Sequence, residues 1–219
     1  MKTLEYVSLG VFALSAAIHL YASLKSNKPL RNKTKPFILL GLLGFYLCAA
    51  EPVVLTVVLA LVFSWLGDVL LMPKGVKWFT AGGISFMISH VFFILSYAAQ
   101  TRFEAVPRFL TVLLPAGFIA ASIIIFYFLR PHLPKGLFYP MLLYLVVNGM
   151  MNCFAWFRAM SAGGAAGLVT AAGALLFFIS DSSLFFVRFH KNSRLKTHFL
   201  VMLTYSLGEF LIVLGLIMR

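Results

Sequence analysis

Acidic residues are scarce in this chain: 6 Asp and Glu stand against 18 Lys and Arg in 219 residues. Charged residues of both signs reach only 11%, while 62% are hydrophobic. Soluble domains carry roughly 25% charged and 45–50% apolar residues, so a mean hydropathy of +0.98 excludes a soluble protein. Polar stretches are too short for a separate soluble domain, and residues 1–219 are expected to form a single transmembrane domain. Cysteine is also sparse. Cys48 and Cys153 are too few for a disulfide framework, and no Cys/His spacing of the zinc type occurs. A bridge between them is conceivable because both fall near the same side of the membrane, but they read more simply as small apolar side chains at helix interfaces. No metal and no cofactor are expected.

What is present is a series of eight apolar stretches, approximately 4–24, 36–50, 53–72, 78–99, 109–129, 138–158, 164–188 and 197–218. Most approach the roughly 20 residues that cross a bilayer as a helix. They are apolar all round and separated by polar, Pro- or Gly-bearing loops, which fits helices and not the alternating strands of a barrel. The expected fold class is therefore all-α: a polytopic membrane protein, a bundle of eight transmembrane helices with short loops. The first stretch is too long for a signal-peptide core and carries Glu5 beside its only early lysine, so it reads as an uncleaved span. Glu51-Pro52 marks a tight turn into the third.

Thirteen of the 18 basic residues fall in loops 1, 3, 5 and 7, and five in the termini and the other loops, Arg158 of loop 6 among them. The positive-inside rule places loops 1, 3, 5 and 7 in the cytoplasm and both termini on the opposite side, in the cytoplasmic (inner) membrane if the source is bacterial. The +12 net charge thus has a topological origin, and the bilayer rather than nucleic acid is the expected partner. Oligomeric state is not legible.

Glu5 and Glu51 lie at span ends and Glu104 in loop 4, leaving Asp68, Asp181 and Glu209 inside spans. An ionisable group there costs several kcal/mol unless it faces the bundle interior, and it is a functional candidate by default. Spans 3 and 7 run in the same direction. Asp68 sits about four residues, and Asp181 about seven, before their cytoplasmic ends, or roughly 6 and 10 Å at 1.5 Å per residue. Two carboxylates at one depth on different helices suit a paired acid/base site. In span 7, Gly167, Ala174 and Asp181 recur every seven residues with Ala171 close by. Small residues mark close helix packing in a bilayer, so Asp181 is expected to point inward. Ser64 precedes Asp68 by one turn, and Ser180 adjoins Asp181. His19, Tyr144 and Tyr205 lie at similar depth, whereas His90, Asn148, Asn152 and Glu209 lie near or above mid-membrane. Each of these reads either as a supporting group of the site or as an interhelical hydrogen bond without chemistry. The runs Phe63-Ser-Trp-Leu-Gly-Asp68-Val-Leu-Leu71 and Phe177-Phe-Ile-Ser-Asp181-Ser-Ser-Leu184 are alike and four spans apart, which points to a 4 + 4 parallel repeat.

Three segments carry a family resemblance: Gly67-Asp68-Val-Leu-Leu71-Met72, Phe86 with His90, and Gly173-Ala-Leu-Leu-Phe177-Phe-Ile-Ser180-Asp181-Ser. They resemble the YhhN-type lysoplasmalogenase family, and the likeness extends over essentially the whole chain. Span 8 departs from the family pattern, with Glu209 where the family has Gln. The resemblance implies an ether hydrolase that cleaves the vinyl ether bond of lysoplasmalogen to a fatty aldehyde and glycerophosphoethanolamine or glycerophosphocholine. The residues suit that chemistry on their own terms. Protonation of the vinyl ether at its β-carbon gives an oxocarbenium ion, water adds, and the hemiacetal collapses. The sequence needs one carboxylic acid and one carboxylate, for which Asp68 and Asp181 are the candidates, and a dry, like-charged surrounding keeps one member of such a pair protonated. Glycosidases meet a similar cation with two carboxylates. A single-chain lysophospholipid would lie with its vinyl ether just below the headgroup, at the depth of the two aspartates, and Lys74, Lys77, Arg188 and Lys191 are placed to hold its phosphate.

Two rivals use the same carboxylates. An intramembrane aspartyl protease would need Gly in place of Trp65 and Tyr in place of Ser180. A proton-coupled transporter of small molecules or lipids would use the aspartates as relays and mid-span Pro115 as a flexing point. The position of both aspartates near one interface, away from mid-membrane, argues against it.

Overall fold

The computed structural model describes residues 2–190 and 198–218. Among these residues the fold is all-α, with eight helices and no strand. They are α1 (Lys2–Leu24), α2 (Lys28–Ala49), α3 (Leu55–Leu70), α4 (Val76–Ala99), α5 (Arg108–Leu129), α6 (Phe138–Ala162), α7 (Ala165–Phe189) and α8 (His198–Ile217). Six of them (α1 and α4 to α8) are long and apolar enough to cross a membrane, and the chain is a multi-pass membrane protein. The other two differ from the sequence reading for identifiable reasons. α3 has only 16 residues. α2 begins at Lys28, well before the apolar stretch, because Asn27 caps it by accepting a bond from Leu30 N (3.2 Å) and a proline follows in its first turn. Its first two turns are therefore cationic helix and not loop.

Sequential helices form hairpins, α1–α2, α3–α4, α5–α6 and α7–α8. α2 adjoins α3, α6 adjoins α7, and the bundle closes through α4–α6 and α8 against α1 and α2. α5 is the rim, a single helix through Pro115 with only Ser122 and Leu129 buried. Small residues set the tightest contacts. A Cβ added to Gly208 would lie 2.9 Å from the Gly173 carbonyl oxygen, so α7 and α8 touch backbone to backbone. Gly167 likewise meets Ala159 of α6, and Ala171 and Ala174 are fully buried. The small-residue side of α7 is its packed side, as expected, and it carries Asp181 inward. Cys48 and Cys153 are both free.

Arg158 is not a loop residue. It lies in the last turns of α6, buried, and bonds to four groups: Gln100 Oε1 (2.9 Å), Thr170 Oγ1 (2.8 Å), the Gly215 carbonyl (3.2 Å) and, at 3.5 Å, the Ala166 carbonyl. One guanidinium fork thus ties α4, α6, α7 and α8 together at the end of the bundle remote from Asp68.

Candidate functional site

Asp68 and Asp181 are both buried, and both line one cavity of about 410 Å³. α3 and α7 are not among the closely packed pairs; the two carboxylates meet across the cavity and not through a helix–helix seam. Their surroundings differ. Asp68 Oδ1 forms an ion pair with Lys35 Nζ at 3.0 Å, and Oδ2 accepts a bond from Tyr205 Oη at 2.9 Å. Among the described residues no lysine or arginine contacts Asp181. Its Oδ2 takes two neutral bonds, from Tyr144 Oη (2.5 Å) and Asn148 Nδ2 (2.9 Å), and among the described residues no donor bonds to Oδ1. His90 Nε2 stands 3.8 Å from the same Oδ2, beyond hydrogen-bond reach. The His90 ring is fully buried and packs edge-on against Tyr144 and Phe177.

The remaining supporting candidates divide. His19 lines the cavity, with Nδ1 3.0 Å from Thr34 Oγ1. Asn148 is itself braced by Asn152, which donates to its carbonyl at 3.1 Å. Ser180 also reaches the cavity wall, but its hydroxyl donates to the Val201 carbonyl of α8 at 2.8 Å and not to Asp181. Ser64 pairs with Ser89 at 2.8 Å, away from Asp68. Both serines tie helices together. Glu209 adds a third, fully buried carboxyl group behind the cavity without lining it.

Of the four cations expected at a phosphate, Lys74 and Arg188 line the cavity. Lys77 does not; its ammonium lies over the Trp78 ring, 5.7 Å from the centroid. Lys191 lies outside the described residues. Sequence reasoning missed the larger contribution. Lys28, Arg31 and Lys35 of α2 all line the cavity, and Lys35 is the partner of Asp68. Their spacing of i, i+3 and i+7 is one helical face, a signal available once the Asn27 cap is read as the start of α2. His198, at the start of α8, also lines the cavity. Among the described residues no three His, Cys, Asp or Glu side chains converge as metal ligands.

A chain of this length with two inward carboxylates beneath a basic rim has a family counterpart, for the YhhN family model matches residues 30–216. The chain belongs to the YhhN family. The match includes both aspartates, Lys35 and Tyr205, but not Lys28 or His19. No curated protein and no solved structure matches the chain.

Proposed function

We propose that this YhhN-family protein is a lysoplasmalogenase-type ether hydrolase, a class the family includes. The observation that carries the reading is the unequal pair of buried carboxylates on one cavity: Asp68 with a lysine and, among the described residues, Asp181 with neutral donors only. Asp181 serves as the acid, its proton on Oδ1. It passes that proton to the β-carbon of the vinyl ether, forming an oxocarbenium ion. Asp68, held as an anion by Lys35, steadies the cation and takes a proton from the attacking water. The hemiacetal then breaks into fatty aldehyde and glycerophospho-alcohol: Asp68 gives its proton to the leaving oxygen while Asp181 takes the proton of the hemiacetal hydroxyl, and both carboxyl groups return to their starting states. Electrostatic placement of this kind acts strongly in a water-poor site.

The phosphate rests against Arg31, Lys74 and Arg188 at the cavity mouth, on the end of the bundle that bears loops 1, 3, 5 and 7. We take that end as cytoplasmic and all eight helices, as one domain, as spanning or nearly spanning the bilayer. The 4 + 4 parallel repeat has support in how the carboxylates are held. Asp68 of α3 takes bonds from α2 and α8, while Asp181 of α7 takes bonds from α6 and faces His90 of α4. Each pairing maps onto the other by a shift of four helices.

Purified protein given a lysoplasmenyl-ethanolamine or -choline tests the function. Aldehyde should appear in step with glycerophospho-alcohol, and in D2O the trapped aldehyde should carry one deuterium at the carbon next to the carbonyl. No release from either substrate would contradict the reading, and vesicle uptake without hydrolysis would favour the transporter.

A further inference from the structure

A second cavity, of about 690 Å³, opens on the side of the bundle between α4 and α6. Its size falls in the range of about 300–1,000 Å³ typical of ligand pockets. Its wall is almost wholly apolar: Gly83, Ile84 and Met87 of α4 face Leu143 and Val146 of α6. From Thr80 to Met87 the groove follows α4 for about 10 Å, at 1.5 Å per residue. It runs from the basic end of the bundle toward its middle, the course of a lipid tail.

Three aromatic residues join this groove to the polar cavity. Phe79 lines both cavities. It packs edge-on against Phe185, a groove residue, and carries the Arg188 guanidinium 5.6 Å above its ring. Tyr144 lines the groove with its ring and donates its hydroxyl to Asp181. The groove and the carboxyl group assigned as the acid are therefore separated by a single tyrosine side chain.

We infer that the α4–α6 groove binds the first part of the single hydrocarbon chain of the substrate, with its first carbons at Tyr144 and the chain leaving past Met87 into the bilayer. This rests on the function proposed above, and it extends that function to a selection rule. The occupant is an unbranched chain on a molecule whose head is polar and anionic: the polar cavity takes the head, and the groove joined to it at Phe79 and Tyr144 is the apolar continuation. Bilayer tails are as apolar as the groove wall, so little hydrophobic gain comes from filling it. The groove acts by direction and shape, holding the bond next to the headgroup at Asp181 and accepting one chain at a time.

Gly83 offers a clean test. A Cβ there meets nothing within 4 Å, so the Gly83→Phe side chain starts in open space at the groove wall, and loss of a helical glycine favours the helix. Gly117 on the rim helix α5 is equally open and serves as the control. Full-length protein in nanodiscs is photolysed with a non-hydrolysable alkyl-ether lysophospholipid carrying a diazirine in the first half of its chain, and labelled residues are mapped by mass spectrometry. Label should concentrate on Ile84, Met87 and Val146 and fall about tenfold in Gly83→Phe, the scale on which a filled apolar pocket discriminates, with Gly117→Phe unchanged. In parallel, Gly83→Phe should lose about tenfold in kcat/KM for a long-chain lysoplasmalogen while a short-chain analogue is cleaved as by the parent. Label spread evenly over α5 residues such as Val112 and Ile123, absence of label, or an unchanged chain-length profile in Gly83→Phe would overturn the groove assignment. Because the labelling needs no turnover, concentrated label without hydrolysis would uphold the groove and count against the hydrolase alone.

Discussion

Lys35 is the residue on which the inequality of the two carboxylates depends. Its ammonium is the one cation in contact with Asp68 among the described residues, and both groups are largely withdrawn from solvent. Removing one partner of a buried pair leaves an uncompensated charge and costs about 3–5 kcal/mol. Lys35→Met should therefore lower thermal stability in detergent and reduce kcat/KM by at least about a hundredfold, whereas Lys35→Arg should retain part of both. The tyrosines make smaller contributions. Tyr205→Phe removes one hydrogen bond to a charged group, worth about 1.5–3 kcal/mol, and a loss of roughly tenfold or more in kcat is expected with the fold intact. Glu209 should behave differently. Among the described residues its carboxyl group has only the Ser64 hydroxyl as a neighbouring donor and no well-formed hydrogen bond, so Glu209→Gln is expected to keep activity within about threefold and to raise or leave unchanged the melting temperature, since a neutral amide is easier to bury than a carboxylate. At this scale the sequence was informative about acids and poor about cations. Scarcity made each intramembrane carboxyl conspicuous, but Lys35 was one of 18 basic residues, and only the start of its helix revealed where it pointed.

At the scale of the helix, two features of the sequence carried different amounts of information. The small-residue face of α7 was readable, because Gly167, Ala171 and Ala174 share one side and bilayer packing favours small side chains. The start of α2 was hidden by the assumption that a span begins where apolar residues do. A helix can project beyond the hydrocarbon, and the Asn27 cap with the proline after it was the available sign. Arg158 escaped for a related reason: a charge at the end of a span reads as loop, yet this one is buried and satisfied by neutral acceptors from three other helices. Arg158→Met should leave those acceptors unpaired and destabilise the protein by about 2–5 kcal/mol, measured as a fall in melting temperature, without changing chain-length preference. Gly208→Val should separate α7 from α8, because its Cβ would press on backbone atoms of α7; overpacking of this kind costs about 1–3 kcal/mol or more. The signature would be loss of monodisperse protein on size-exclusion chromatography.

For the whole molecule, composition decided the class and charge distribution suggested the orientation, while the assembly of the site needed three dimensions. The sequence placed both aspartates at one depth, but α3 and α7 do not form a packed pair; three other helices, α2, α6 and α8, bring Lys35, Tyr205, Tyr144 and Asn148 to them. Such convergence depends on which hairpins adjoin, and hydropathy carries no information about that. The result is a polar, basic cavity at one end of the bundle and an apolar groove beside it, the two halves of an amphiphile. The central claim is that Asp181 and Asp68 act as acid and base on that amphiphile. The most direct measurement is aldehyde release from lysoplasmalogen by purified parent protein, Asp68→Asn and Asp181→Asn, each confirmed as folded by its elution and melting profile. The account requires turnover by the parent and a loss of at least about a thousandfold in each variant, as general acid and base contributions combine with charge stabilisation. Parent-like release by either folded variant would contradict it.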